Sequence, residues 1–322
     1  MVWFVENGIG EQRALEVKKG RITAARLQWL DELSAGQVDD AKLISRKSGS
    51  SRGTVLFPSG EEALVDHLPQ DASEGRLLRV EVTRGAIREA KRTKLAHAHP
   101  STKAVRAADL TSDLRAEGYQ AEEVYRFPVD GWDDLIADAL EAEISFSGGS
   151  LQFSPTPAMT LIDIDGNMRG IELALAAIAP VAQAFRLFEV GGSIGIDFPT
   201  LETKADRKAV DQALELALSN WPHERTAMSG FGFVHIVSRF ARPSLFHRAH
   251  GQRLDLVARH LLRQAENLES AGAILLTAHP SVLERISPTF HSDLARRTGR
   301  EIRLKGSPEL AIEAGFAQSV PL

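Results

Sequence analysis

The stretch "MTLIDIDGNMRG", running from Met159 to Gly170, places Asp163 and Asp165 two residues apart at the end of an apolar run. A second apolar run, "GGSIGIDF", carries Asp197 just before its end. Both runs have the composition of a buried strand, so each carboxylate stands where a strand leaves the interior. If the two strands are neighbours, Asp163 and Asp197 emerge at one sheet edge. Carboxylates that close repel, and both stay ionised when a cation lies between them. Mg²⁺ suits such a pair: it takes oxygen ligands, keeps several waters and is held by one or two carboxylates plus a substrate phosphate. Mn²⁺ is the alternative ion. Asp165 shares a strand face with Asp163 if the strand persists that far, which makes it a third candidate ligand, direct or through water. The competing reading is a pair of strand-end turns, where aspartate is common.

Cations answering to an anionic substrate are also present, and they are segregated. "RGAIREAKRTK" carries Arg84, Arg88, Lys91, Arg92 and Lys94 against one acid, Glu89. "SRFARPSLFHR" carries Arg239, Arg242 and Arg248 with no acid, and "DLARRTGREIRLK" adds five more cations. Acids concentrate in "RAEGYQAEEVY" and "DGWDDLIADALEAE". The net charge of −5 runs against a nucleic-acid partner, whereas basic runs beside an acidic pair favour one. Arg169, Arg186, Arg239 and Arg242 are the candidate phosphate contacts, with Arg169 first because it follows the carboxylate motif so closely.

The elements that must position these groups can be read from periodicity. Residues 1 to about 95 read mostly as β, with "GRLLRVEVTRGAI" alternating strictly, and short strands at close turns suggest a small antiparallel barrel. "WDDLIADALEAEISF" is an amphipathic helix. Beyond it the pattern alternates: the strands "AMTLIDI", "GGSIGIDF" and "GFGFVHIVSR" are separated by the helices "GIELALAAIAPVAQAFRLFEV" and "TKADRKAVDQALELALSN". This order predicts a layered α/β unit with its strands buried between helices, and Pro180 predicts a kink or break in the first helix. The C-terminal segment reads helix, strand, helix, helix, strand. The fold expected is thus α+β and multidomain.

Three classes are set aside by composition. No run approaches 18 uncharged apolar residues, so no membrane span is expected. The start, "MVWFVENGIGEQRAL", has no basic leader, so no signal peptide is expected. Zero cysteines exclude disulfides, a cysteine nucleophile and cysteine-held zinc; with the missing leader they point to a cytoplasmic protein.

"LIDIDGN" resembles the first motif of haloacid-dehalogenase-type phosphatases, in which the first aspartate is a nucleophile. Those enzymes also need a paired acid after a later strand, and "IGIDFPTLE" has a single aspartate there. Three linked motifs resemble the ribonuclease E/G family more specifically: "SFSGGSLQFSPTPAMTLIDID", then "FRLFEVGGSIGIDF", then "GFGFVHIVSRFARPSL", over roughly residues 146–245. The resemblance implies a metal-dependent endoribonuclease acting on single-stranded RNA in RNA processing or decay. It also implies a DNase I-like α/β catalytic domain at 146–250, an S1/OB-like barrel inserted at 20–95, a reduced RNase H-like subdomain from 1–19 and 96–145, and a small C-terminal α/β domain at 251–322. The family's metal aspartates fall on Asp163 and Asp197. Its neutral asparagine falls on Asp165, which adds a negative charge.

The chain departs from the family in several places. Within the barrel stretch "TVLFPSGEEALVDHL" only Phe57 is aromatic, as a stacking platform or as core. Residues 96–143 are too short for the family's 5′-monophosphate pocket. The family's zinc-sharing cysteine pair is missing, so no zinc is expected, and His247 and His250 at that place read as surface histidines. A monomer, or a homodimer through the C-terminal domain, is expected. The alternative function is a catalytically decayed relative that binds RNA or a partner protein.

Overall fold

The computed structural model describes residues 2–89 and 93–322. Lys91 and Arg92, two cations of the expected basic run, lie outside the described residues.

The chain starts with the meander β1 (Val2–Asn7), β2 (Glu11–Lys18) and β3 (Arg21–Trp29). Lys19 and Gly20, both at positive φ (51° and 75°), form the two-residue turn that folds β3 back on β2. A closed five-stranded barrel follows from β4 (Val38–Arg46), β5 (Gly53–Leu56), β6 (Glu62–Val65) and β7 (Leu77–Arg84). After the two-residue ladder of β8 (Ile87–Arg88) and β9 (Thr93–Lys94), β10 (Ala96–Pro100) closes it between β6 and β7. The barrel therefore differs from the expected span of 20–95 at both ends: β3 is held in the first sheet by its hairpin with β2, and β10 is a barrel strand. Phe57 is 2% exposed among Leu43, Val55 and Val80, so it is barrel core.

The short helix α1 (Leu110–Ala116) covers one face of the first sheet, burying Leu110 and Leu114 against Trp3, Val5 and Ala14. β11 (Ala121–Val124) then joins that sheet in parallel beside β1. α2 (Trp132–Glu141) leads into β12 (Glu143–Phe146), β13 (Gly149–Pro155) and β14 (Thr160–Gly166). Next come α3 (Gly170–Leu187), β15 (Gly192–Asp197), α4 (Lys204–Leu218), β16 (His223–Arg225) and β17 (Phe233–Ser238). The six strands form one sheet in the order β12-β13-β14-β15-β17-β16.

One face of this sheet buries Leu151, Phe153, Ile162, Ile164, Ile194, Ile196, Val234 and Ile236 in the main core, together with α3 and α4. The same core takes in Leu15, Leu27 and Trp29, so α3 lies between two sheets. The opposite face is open, contrary to the expectation of strands buried on both sides. The sequence of β14 shows why: its burial alternates strictly, with Thr160, Ile162 and Ile164 in and Leu161, Asp163 and Asp165 out, as in a sheet covered on one face only; its neighbours are β13, antiparallel, and β15, parallel. α3 is long and apolar enough to cross a bilayer, but its Leu173, Ala177, Val181 and Phe185 are buried in this core. It also runs unbroken through Pro180, where only the carbonyl of Ala176 loses its helical donor.

α5 (Leu245–Gly251) and α6 (Arg253–Glu266) carry the chain to a three-stranded sheet. This sheet holds β18 (Ala273–Ala278) between β19 (Ile302–Gly306) and β20 (Phe316–Val320). Between β18 and β19 lie α7 (Pro280–Leu283) and α8 (Pro288–Thr298), the strand–helix–helix–strand order read from the sequence. Arg248 and Arg259 of α5 and α6 sandwich the Trp29 ring at 3.9 and 4.0 Å from its centroid, which ties both helices to β3.

Candidate active site

β14 and β15 are parallel neighbours, and in their register Asp163 stands directly opposite Asp197. Adjacent strands lie about 4.8 Å apart, so the two carboxylates share one spot on the open face. Both are exposed, as is Asp165 two residues further along β14. Asp165 has one carboxylate oxygen on its own turn, where Oδ1 accepts from the Gly166 N–H at 2.8 Å. Among the described residues none of the three has an ion-pair partner. Asp163 and Asp197, side by side on neighbouring strands and without an ion-pair partner among the described residues, leave room for a cation between them.

Gln152 faces Asp163 from β13, Ser150 faces Asp165, and Phe233 faces Asp197 from β17. His235 lies opposite Gly195, and its Nε2 is 2.8 Å from Ser193 Oγ. None of these residues was singled out from the sequence, although the alternation in "SLQF" and "FVHIV" marks them as outward-facing. Arg169 is 86% exposed and N-caps α3 without a side-chain cap bond. The β14–α3 connection packs against the segment after β15: a Cβ on Gly170 would lie 2.7 Å from the Thr200 carbonyl oxygen. The N-terminus of an 18-residue helix, with backbone N–H groups unsatisfied by any side chain, thus sits at the carboxylate end of the sheet. Such a terminus favours an anion.

Among the described residues no group of three or more His, Cys, Asp and Glu side chains is arranged to hold a metal. A closed protein cage is therefore not the chemistry on offer. Two exposed carboxylates across a strand pair fit a hard divalent ion that keeps waters and takes further oxygens from a substrate phosphate.

The other candidate cations lie elsewhere. Arg186, Arg239 and Arg242 line a cleft of about 530 Å³ at the opposite end of the sheet. Asp197 pairs with Phe233 and Gly192 with Ser238, so the two ends are five residues apart, about 17 Å along the strands. Arg242, with its side chain 8% exposed, pairs with Glu189 at 3.0 Å and Asp113 at 3.5 Å. Arg186 donates to the buried Glu16 at 2.7 Å. Arg239 is exposed.

The barrel-side run is also largely engaged. Arg84 donates to the Leu95 carbonyl at 2.8 Å, and burial pushes its guanidinium pKa down. Lys94 bonds the Pro157 carbonyl at 2.7 Å and pairs with Glu89 at 2.6 Å, stitching the β8–β9 ladder to the β13–β14 loop. Arg88 is exposed. His247 is not the surface histidine expected. Its Nδ1 lies 2.7 Å from Ser244 Oγ, its ring packs against Phe240, and burial, aided by Lys94, lowers its pKa to about 4. His250 is exposed.

Residues 86–239, the span that holds this carboxylate pair, match the Ribonuclease E/G family. Ribonuclease G of Escherichia coli (strain K12) is 26% identical over 297 residues, covering 83% of this chain and 58% of that protein. Ribonuclease G of Salmonella typhimurium (strain SL1344) gives the same figures. Ribonuclease G of Haemophilus influenzae is 30% identical over 185 residues, covering 49% of this chain and 38% of its own length. The chain thus spans little more than half the length of the first of these relatives. Residues 86–239 are thus similar to the ribonuclease E/G family, and the three Ribonuclease G proteins share that similarity with the chain.

Proposed function

We propose that the protein is a Mg²⁺-dependent endoribonuclease that hydrolyses phosphodiester bonds of single-stranded RNA, in RNA processing or decay. The single observation that carries this reading is the register that sets Asp163 beside Asp197 on an open sheet face, neither having an ion-pair partner among the described residues. The ion, when bound, lowers the pKa of a water and neutralises charge that develops on the phosphate. The chain's own part is to hold it through Asp163 and Asp197, with Asp165 adding negative charge nearby. Arg169 and the N-terminal N–H groups of α3 orient the scissile phosphate. Water attack with departure of the 3′-oxygen leaves the phosphate on the 5′ end of the product.

In this reading the six-stranded sheet with its helices is DNase I-like, the barrel is S1-like, and the first sheet is a reduced RNase H-like unit. The C-terminal three-stranded unit serves a monomer or a homodimer, and the protein works in the cytoplasm. A second reading, an RNA- or partner-binding relative without catalysis, is favoured by the burial of Phe57, which removes a stacking aromatic from the barrel.

The test is incubation of the purified chain with a short single-stranded RNA, with Mg²⁺ or with EDTA, beside Asp197→Asn. Cleavage is expected to need the ion. It should fall roughly a thousandfold in the variant, equivalent to several kcal/mol of lost transition-state stabilisation. Equal cleavage by the variant sinks the assignment. A rise in thermal midpoint with Mg²⁺ and no cleavage would move the balance to the second reading.

A further inference from the structure

The turn between β16 and β17 carries Phe231, which is 91% exposed, the most exposed large apolar side chain among the described residues. A phenylalanine ring held almost wholly in water on a hydrogen-bonded turn is available to a ligand with an apolar face. The turn is ordered. Ser229 Oγ accepts from the N–H of Phe231 at 3.3 Å and of Phe233 at 3.1 Å. Ser229 and Phe233 also close the turn through a backbone bond of 2.9 Å. Gly232, at φ +86°, donates to the Ser229 carbonyl and accepts from the Phe198 N–H at 3.2 Å. A side chain at Gly232 would lie 2.8 Å from the Phe198 carbonyl oxygen. The turn is thereby clipped to the residue immediately after Asp197.

Position and surroundings say what the ring is for. Phe233 is the cross-strand partner of Asp197, and Phe231 lies two residues, about 7 Å, beyond it. The Phe233 ring occupies the space over Gly195, where its ζ carbon would be 2.5 Å from a Cβ; Leu161 and Met159 close the same spot. Two aromatic residues thus stand on one flank of the carboxylate pair, Phe233 opposite Asp197 on β17 and Phe231 on the turn just beyond it. Aromatic faces hold single-stranded bases by stacking, whatever their sequence. The barrel does not present Phe57 for this purpose, because that ring is internal.

We propose that Phe231 is a base-stacking platform for the nucleotide next to the phosphate held at Asp163 and Asp197. The ligand is an unpaired RNA base, and the grip on the strand lies on the catalytic sheet. This rests on the endoribonuclease reading above. Phe231 is then a positioning residue: it sets which phosphate reaches the carboxylates without touching the reacting atoms.

The experiment measures binding of a short single-stranded RNA carrying 2-aminopurine to the Asp197→Asn protein, by anisotropy and by base fluorescence, alone and combined with Phe231→Ala or Phe231→Trp. The expected result is about tenfold weaker binding with alanine, within the range for one stacked base. Quenching of 2-aminopurine should be lost, while the slope of affinity against salt and the thermal midpoint stay unchanged. Tryptophan should restore both affinity and quenching. Parental affinity and quenching in Phe231→Ala overturn the platform and leave the endoribonuclease reading standing. Weakening that tryptophan does not rescue overturns it as well. If Asp197→Asn binds no RNA and the wild type cleaves none, both fall together.

Discussion

The two ends of the six-stranded sheet handle charge in opposite ways. At one end Asp163, Asp165 and Asp197 are exposed and have no cation partner among the described residues. At the other, Arg26, Arg186 and Arg242 are each matched to a carboxylate: Glu117, Glu16, and the pair Glu189 and Asp113. In sequence both sets look alike, as clusters of charge beside apolar strands. The difference is compensation. An arginine already paired with a carboxylate of its own chain is part of the scaffold. Like charges held together without a counter-ion cost free energy, and only a ligand that brings the opposite charge removes that cost.

The sharpest way to break this comparison is at the compensated end. Arg242→Ala removes the cation shared by Asp113 and Glu189, leaving Asp113 with Arg106 and Glu189 with Arg26 at 3.9 Å, and should destabilise the protein by about 3 kcal/mol. Denaturant titration should show the loss, while cleavage by the remaining folded protein persists. A variant of full stability that has lost RNA binding would show that Arg242 belongs to the substrate and not to the scaffold.

A second test uses pH. His247 is held neutral, with its pKa lowered to about 4 against an ordinary 6.5, so the unfolded chain binds a proton that the folded chain refuses. The contribution is fully favourable above about pH 6.5 and is lost as pH falls towards 4, with a full cost of roughly 3 kcal/mol. Comparing stability from pH 7 to 4 should give a flatter profile for His247→Gln than for the wild type. Parallel profiles would show that the imidazole is as accessible as that of His250.

The smallest effect is expected at the uncompensated end. Asp165→Asn removes one of three like charges and keeps the turn bond to Gly166. It should leave stability nearly unchanged and raise the Mg²⁺ concentration needed for half-maximal cleavage about tenfold, the scale typical of outer metal partners. An unchanged Mg²⁺ requirement would mean that Asp165 serves its turn alone.

Much of the site was legible because it lies on regular strands. The "hhhD" endings of "TLIDI" and "SIGID" fixed Asp163 and Asp197 at strand exits, and three ordered motifs carried the family resemblance. The open face was misread: alternation in "TLIDIDG" was present in the letters, but the apolar helices around it suggested strands covered on both sides. The barrel limits were displaced because β3 and β10 look equally strand-like, and the Lys19–Gly20 turn decides that β3 pairs backward. Phe231 is not legible in the sequence, since an aromatic beside two glycines in "GFGF" reads equally as core, and only its 91% exposure separates the two.

The sequence by itself determined the strand ends that carry Asp163 and Asp197, the helical stretches and the lack of cysteine, because those follow from local composition and period. Only the tertiary structure decided which charges are answered. Whether Arg242 is a phosphate contact or a scaffold pair depends on Asp113, 129 residues earlier in the chain. Whether Asp163 meets Asp197 depends on two strands lying side by side in one register. Coulomb energy falls with distance in space and takes no account of distance along the chain. That is why the aspartate that sits two residues from Asp163 matters less to it than the one that stands opposite on the next strand.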